Sequence, residues 1–264
     1  MTESNLSPDD RAQTYNPTEM LICSAARIME DHTTAFIGTG IPMLAAALAQ
    51  RMHAPNLIPI FEFGGTGAIL ESLPLAVGGE NTFHRGLAAS GICDIVETAQ
   101  RGFIEYGFLG GAQIDPYGNL NSTVIGDYYH PKVRLPGSGG GNDVGSHCWK
   151  TIAIMRQDVR KFVEKIDFIT TPGYLQGPGA RERAGLPRNT GPYRVVTNLC
   201  IMGYHPESMR MMVLATQPGI SADEVQRNTG FRLEFSLTVI ENPPPSQAEL
   251  RILREEIDPD RIYI

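Results

Sequence analysis

The sequence predicts an α/β fold, with an open, mostly parallel sheet and helices on both of its faces. The main observation is the order strand, glycine turn, helix, strand in residues 35–61. Parallel strands need such a crossover connection, and it is usually a helix. Short apolar runs along the rest of the chain supply further strands. The 264 residues suffice for one large domain with a substantial core.

The first elements follow one another without a long gap. Residues 1–15 are polar and predict a flexible N-terminal arm. Asn16, Pro17 and Glu19 then predict a helix start, with asparagine as N-cap, proline in the first turn and an acid three residues after the cap. The next elements are a strand at residues 35–37, a turn at 38–40, a helix at 42–52 and a strand at 57–61.

The later elements are predicted from apolar runs and turn residues. No internal repeat and no change in composition divides the chain, so residues 16–264 are predicted to form a single α/β domain. The predicted strands are residues 103–109, 152–155, 166–170, 195–201 and 211–215, and the predicted helices are residues 221–228 and 246–256.

The composition excludes several classes of function. A net charge of −7 without a basic stripe predicts no nucleic-acid surface. The polar start and the absence of a long apolar stretch predict neither a signal peptide nor a membrane span. The four cysteines lie far apart, without a C-x-x-C pair or a His/Cys cluster of metal-ligand spacing. This pattern predicts reduced thiols in the cytoplasm and no metal site.

Three glycine clusters interrupt the chain, at residues 38–40, 64–67 and 137–141. A glycine after a strand is most simply a turn, and none of the clusters matches a phosphate-binding loop between a strand and a helix. The third cluster has almost no side chains over five positions, which is costly in conformational entropy. It is either a flexible loop tip or an oxyanion hole built from backbone N–H groups.

Glu62 stands where an apolar strand ends and the second glycine cluster begins. The carboxyl edge of an open α/β sheet is the usual ligand site of such folds. There a desolvated and aligned carboxylate could attack a thioester carbonyl and form an acyl anhydride. The alternative is a structural carboxylate that caps a helix or pairs with an arginine.

The stretch between Glu62 and the third glycine cluster carries a more specific signal. Residues 110–123 read GGAQIDPYGNLNST, and residues 125–132, IGDYYHPK, lead toward the glycines. Together with residues 177–183 and 228–231, they closely resemble the B (β) subunit of glutaconate CoA-transferase, a class I CoA-transferase. The resemblance extends from the first helix to residues 255–259 and implies the open α/β fold of that family.

The resemblance also implies a mechanism. Glu62 falls at the position of the family's nucleophilic glutamate, which forms a covalent glutamyl-CoA thioester in a ping-pong cycle. The family's glycine loop, which serves the oxyanion and the thioester, falls on Gly137, Gly139, Gly140 and Gly141, with Gly141 in place of an alanine. Asn121 matches a polar position that assists catalysis.

The partners and cofactors follow from the same resemblance. The active site is expected at the junction with a separate α subunit, so that the enzyme is a hetero-oligomer and this chain alone is inactive. The substrates are an acyl-CoA, with a glutaconate-like or related acyl group, and a carboxylate. Coenzyme A is substrate and carrier, and no prosthetic group is required.

One departure from the family pattern leaves other functions open. Phe63 stands where the family has a serine after the glutamate, which could narrow the acyl pocket or make it more apolar. The alternatives are a CoA-thioester hydrolase or decarboxylase on the same fold, whose members lack the glutamate, and a non-catalytic subunit that binds acyl-CoA.

A few other polar residues allow two interpretations each. Lys132 and Arg134 could face CoA phosphates or simply be solvated. Arg181 and Arg183 could bind an anion or the partner subunit. His147 and Cys148 could form a Cys/His nucleophile pair, but the sequence shows no third residue that would orient the histidine.

Overall fold

The computed structural model describes residues 15–70 and 73–264. The predicted arm lies outside these ranges apart from its last residue, so its flexibility and the domain boundary at residue 16 stay predictions. The strands are β1 (Thr34–Phe36), β2 (Ile58–Ile60), β3 (Gly65–Thr66), β4 (Ala88–Ala89), β5 (Tyr106–Leu109), β6 (Gln113–Ile114), β7 (Leu120–Asn121), β8 (Val124–Gly126), β9 (Pro131–Arg134), β10 (Lys150–Ile154), β11 (Pro192–Val196), β12 (Cys200–Tyr204), β13 (Met211–Thr216) and β14 (Glu234–Glu241).

The helices connect and cover these strands. There are also a 3₁₀-helical turn at Glu80–Phe83 and a π-helical segment at Ile252–Ile257. In the described ranges, none of the helices is long and apolar enough to cross a membrane. The α-helices are α1 (Pro17–Ala26), α2 (Ile41–Met52), α3 (Ile92–Gln100), α4 (Gly141–His147), α5 (Ala180–Arg183), α6 (Ala222–Arg227) and α7 (Gln247–Arg251).

The main sheet has ten strands within the described residues, in the order β14-β13-β12-β11-β10-β5-β1-β2-β3-β4. Its centre, from β11 to β2, is parallel throughout. Antiparallel strands extend both sides, and β14 pairs parallel with β13. The predicted α/β class and mostly parallel sheet are therefore confirmed. The carboxyl ends of the five central strands meet at one edge, which carries Glu62.

Helices cover both faces of the sheet, as the sequence predicts. Successive side chains of a strand point to opposite faces, and β1 shows this clearly. Ala35 belongs to the core beneath α1, α2 and the C-terminal turn. Phe36 belongs to the core on the other face, with Ile95 of α3 and Val144 of α4. The two cores hold the central strands between helical layers.

The first helix begins where its capping residues predict. The Asn16 side chain accepts hydrogen bonds from Thr18 N–H and Glu19 N–H, both at 2.9 Å. The Glu19 carboxylate accepts the Asn16 N–H at 2.7 Å, which completes the capping box. Local chemistry alone therefore fixes this helix start.

Two predicted strands are wrong. Residues 195–201 do not form one strand, because the Thr197 hydroxyl accepts the N–H groups of Leu199 and Cys200 and turns the chain between β11 and β12. Residues 166–170 contain no strand. There the Asp167 carboxylate accepts hydrogen bonds from Gly126 N–H and from the Gln113 side chain. Side-chain contacts therefore hold this segment in place of the backbone hydrogen bonds of a strand. The sequence analysis also missed α3, α4 and β14.

Candidate active site

Glu62 lies in a tight turn at the carboxyl end of β2. Phe61 N–H donates to Gly65 O at 2.8 Å, and Gly64 N–H donates to Phe61 O at 3.0 Å, so the chain reverses between β2 and β3. The Glu62 side chain is half-buried. Among the described residues it forms neither a hydrogen bond nor an ion pair. The carboxylate is therefore not used as a cap or as half of a structural ion pair.

The glycines after Glu62 are required by close backbone packing. A Cβ on Gly64, whose φ is 115°, would lie 1.8 Å from the carbonyl oxygen of Ser90. A Cβ on Gly65 would lie 2.0 Å from the carbonyl oxygen of Thr82. Real Cβ atoms do not approach so closely, so only glycine fits either position. The second glycine cluster thus presses the Glu62 turn against the segment before α3.

The third glycine cluster comes directly beside the Glu62 carboxylate. A Cβ on Gly140 would lie 2.8 Å from Glu62 Oε1, and one on Gly139 would lie 4.0 Å away. The N–H groups of Gly139 and Gly140 have no acceptor in the part of the chain that the structure describes. A carboxylate and two uncommitted backbone donors therefore lie together at the sheet edge. Residues far apart in sequence form this arrangement.

Hydrogen bonds hold the glycine cluster at both of its ends. Gly137 N–H donates to Ser122 O at 2.9 Å, and the Ser122 hydroxyl donates back to Gly137 O at 2.8 Å. On the other side, Gly141 N–H donates to Ser138 O at 2.9 Å and Asn142 N–H donates to the Ser138 hydroxyl at 3.0 Å. The segment is a fixed turn into α4. Sequence reasoning missed both serines, although hydroxyls flanking a glycine run are a readable signal.

Gly141 stands where the resemblance implies an alanine, and its surroundings give a physical reason. A Cβ there would lie 3.2 Å from the hydroxyl oxygen of Thr171, which is tighter than an ordinary contact. Thr171 is buried, so it has little room to move away. Glycine lets α4 begin close to Thr171.

The Asn121 side chain is fully occupied by contacts within the fold. It is fully buried, and its amide donates to Gln113 Oε1 at 2.7 Å and to Val124 O at 2.6 Å. Its carbonyl accepts the N–H groups of Thr123 and Val124. All four hydrogen-bonding positions of the side chain are thus in use. The side chain shapes the turn around Ser122, which in turn holds Gly137.

Arg181 holds the far end of α4. It is buried, and its guanidinium donates to the carbonyls of Gly145 and Ser146 at the end of that helix, at 3.0 and 3.2 Å. It also donates to Pro172 O and Gly173 O. Burial lowers the pKa of Arg181, but a guanidinium stays protonated. Since its charge is enclosed by these carbonyls, Arg181 does not reach an external anion.

The remaining sequence candidates are excluded or lie outside the Glu62 turn. Burial raises the pKa of the Cys148 thiol to about 12, which removes the possibility of a Cys/His nucleophile pair. Lys132 and Arg134 are exposed on the β8–β9 hairpin. No group of His, Cys, Asp and Glu side chains within residues 15–70 and 73–264 could hold a metal ion.

A large cavity lies away from Glu62. It has a volume of about 1100 Å³ and is lined by residues of β14 and of the segments on either side of β13, including His205, Arg210 and Arg232. Neither Glu62 nor the third glycine cluster lines it. The carboxylate instead lies on an open edge, where a second surface could close over it.

The chain is similar to known CoA-transferase chains over nearly its whole length. Residues 18–228 match the family described as Coenzyme A transferase. The chain is 39% identical over 255 residues to the B subunit of glutaconate CoA-transferase from Acidaminococcus fermentans, which covers 95% of either chain. It is 38% identical over 247 residues to the B subunit of 3-oxoadipate CoA-transferase from Pseudomonas knackmussii, which covers 91% of this chain and 92% of that one.

The solved structures agree. Glutaconate coenzyme A-transferase from Acidaminococcus fermentans superposes with a TM-score of 0.90 at 37% identity, over 95% of this chain and 98% of that chain. More distant are one chain of a cholesterol ring-cleaving hydrolase from Rhodococcus jostii, 26% identical over 83% of this chain and 82% of that one, and the decarboxylase AibA/AibB. The latter, with a TM-score of 0.80 at 23% identity over 94% of this chain and 97% of that chain, shows the shared fold alone. On the strength of the family match and the two close CoA-transferase relatives, this chain belongs to the coenzyme A transferase family.

Proposed function

We propose that the chain is the β subunit of an acyl-CoA:carboxylate CoA-transferase in which Glu62 is the nucleophile. The observation that carries this proposal is the position of Glu62 Oε1, 2.8 Å from a Cβ built on Gly140 and beside two backbone N–H groups without a described acceptor. Donors aimed at a developing oxyanion are worth roughly 3–4 kcal/mol each in acyl transfer. The carboxylate and the oxyanion donors are the two groups that this chemistry needs.

The reaction proceeds without any net proton transfer. The Glu62 carboxylate attacks the thioester carbonyl, and the N–H groups of Gly139 and Gly140 bind the oxyanion. The C–S bond breaks, which leaves an acyl–Glu62 anhydride and CoA thiolate. The thiolate then attacks the Glu62 carbonyl of the anhydride, so that the free acid departs and Glu62 carries CoA as a thioester. An acceptor carboxylate reverses both steps and leaves with CoA.

The supporting residues act through position. We propose that Gly137 and Gly141 set the course of the glycine cluster into α4, because Gly137 exchanges hydrogen bonds with Ser122 and Gly141 N–H donates to Ser138 O. Asn121 acts one step further away, by shaping the turn at Ser122. Holding a reacting group within a fraction of an ångström of its productive position can contribute strongly to rate.

The partner and the acyl group follow from the open edge and from the relatives. The two similar chains are named as B subunits of their enzymes, which implies a second kind of subunit as partner. We propose that this α subunit closes the open side of the Glu62 turn, so the isolated chain is inactive. The acyl groups of the similar enzymes, glutaconate and 3-oxoadipate, indicate a dicarboxylic acid. Phe63 follows Glu62 in the chain, is 52% exposed and has its ring beside Gly78, and we propose that it modifies that choice.

Trapping the covalent intermediate tests the proposal. The chain is co-expressed with its α subunit, incubated with a panel of acyl-CoA thioesters without acceptor, and the peptide containing Glu62 is examined by mass spectrometry. A CoA adduct on Glu62, reducible by borohydride, is expected. Glu62→Ala should abolish both adduct and turnover, whereas Glu80→Ala, which changes an acid outside the turn, should retain them. Normal turnover by Glu62→Ala would exclude the mechanism.

The same experiment separates the alternative functions. A hydrolase would release free CoA continuously in the absence of an acceptor carboxylate, and a decarboxylase would release carbon dioxide. A non-catalytic subunit would bind acyl-CoA without adduct or turnover. A CoA-transferase instead releases one acid per site and then stops until an acceptor is added.

A further inference from the structure

The β8–β9 hairpin, residues 124–134, carries a basic and aromatic surface on an acidic chain. We call it the tyrosine hairpin. Lys132 and Arg134 are both exposed on β9, where the ladder with β8 is irregular and leaves Lys132 without a strand partner. Neither has a carboxylate partner among the residues that the structure describes. On a chain of net charge −7, this places two cations without a carboxylate partner on one hairpin.

The aromatic part of the hairpin is held in a defined position. Tyr128 stacks on Phe168 with ring centroids 5.4 Å apart, and the Arg134 guanidinium lies 5.0 Å from the Tyr128 ring and donates to Tyr128 O at 2.8 Å. The Asp127 carboxylate accepts the N–H groups of Tyr129 and His130 and so fixes the tip. Tyr129 is left 82% exposed, although its neighbours are ordered. Its ring meets the Tyr128 ring edge to face, with centroids 5.3 Å apart, and the rest of the Tyr129 ring is open to a ligand.

The hairpin continues directly into the catalytic glycine cluster. Leu135 N–H donates to Thr123 O at 3.0 Å, immediately before Gly137 bonds Ser122. Arg134 and Gly139 are five positions apart in the chain, which limits the distance between their Cα atoms to about 18 Å. An extended pantetheine arm separates the thioester of an acyl-CoA from its phosphates and adenine by a comparable length. The Arg134 end of the hairpin is therefore within reach of the remote end of the substrate.

We propose that the tyrosine hairpin binds the nucleotide end of CoA, with the Tyr129 ring stacking on the adenine and Lys132 and Arg134 pairing with its phosphates. Aromatic rings stack on bases, and a planar guanidinium pairs well with phosphate oxygens. This inference rests on the proposed function for the identity of the ligand. Binding energy gained on this remote handle would position the thioester at Glu62.

The test measures CoA binding by titration calorimetry on the complex of both subunits carrying Glu62→Ala, so that no turnover interferes. Tyr129→Ala should raise the Kd for CoA about tenfold, a value within the range for base stacking, and Tyr129→Phe should restore it. Lys132→Met should raise the Kd and make it less sensitive to salt. Lys165→Met, which removes an exposed lysine outside the hairpin, should leave the Kd unchanged.

Short substrates provide the decisive comparison. In the complex with Glu62 intact, the Tyr129 and Lys132 variants should keep the wild-type kcat/KM for an S-acyl-pantetheine, which lacks the nucleotide. An equal loss with the short substrate, or a wild-type Kd for CoA in both variants, would overturn the proposal. So would loss of the α subunit from the variants in size-exclusion chromatography, because the hairpin would then be a contact between subunits. If CoA binding depends on the hairpin as expected but no CoA adduct forms on Glu62, the proposed function would be refuted and this inference would stand.

Discussion

Gly140→Ala is the sharpest test of the Glu62 site, because the structure confines its effect to one contact. Gly140 has φ −76° and ψ 0°, which alanine also adopts, so the backbone is not strained. The added Cβ would lie 2.8 Å from Glu62 Oε1, whereas ordinary contacts begin at 3.4 Å. The carboxylate must therefore move by about 0.6 Å, and since misplacement by about 1 Å can cost roughly 100-fold in rate, we expect kcat to fall about tenfold.

The assay compares kcat and stability in the complex with the α subunit. Gly140→Ala should change the free energy of unfolding by no more than about 1 kcal/mol, because it only restricts the unfolded chain. The matched control is Gly38→Ala, where no atom lies within 4 Å of the added Cβ and φ is not positive. A wild-type kcat in Gly140→Ala would show that the carboxylate does not react where the structure places it, and an equal loss in Gly38→Ala would make the effect non-specific.

Three further predictions concern specificity, folding and pH. Phe63→Ser restores the serine of the family pattern and should raise kcat/KM for glutaconyl-CoA about tenfold relative to an apolar acyl-CoA, measured on a panel of thioesters. Arg181→Met leaves the carbonyls at the end of α4 unpaired and should lower the free energy of unfolding in urea by roughly 3 kcal/mol; recovery in Arg181→Lys would contradict this, because a compact ammonium cannot replace the planar fork. Burial by itself would raise the pKa of Glu19, but hydrogen bonds from Arg254 and the Asn16 N–H lower it below its ordinary 4.5. As the pH falls, the carboxylate of Glu19 is protonated at a higher pH in the unfolded state than in the folded state. The free energy of unfolding therefore decreases as the pH falls below about 4.5. Urea titrations at several pH values should show a smaller loss for Glu19→Gln, and equal losses would refute the assignment.

Several elements could be predicted because their causes are local. The start of α1 follows from a capping box within four residues, and α2 follows from its own composition between a glycine turn and a strand. The short motif around residues 110–123 is specific enough to indicate the family. In contrast, α4 has the sequence GNDVGSH, in which Val144 is the only large apolar residue, and it has no helical pattern of apolar residues. Its helical state depends on Arg181 at one end and on Ser138 at the other, and both contacts are tertiary or turn-specific.

The sequence by itself determined the class of fold, the acid at the end of β2 and the glycine segment that could serve an oxyanion. The resemblance implied that the two meet, but no local pattern could determine it, because no local rule relates a turn after β2 to a turn before β10. Only the tertiary structure decided this, by bringing the parallel strands together at their carboxyl ends and by packing Gly64 and Gly65 against neighbouring backbone. It also decided that Asn121 and Arg181 are buried and occupied, since burial depends on contacts between segments distant in the chain.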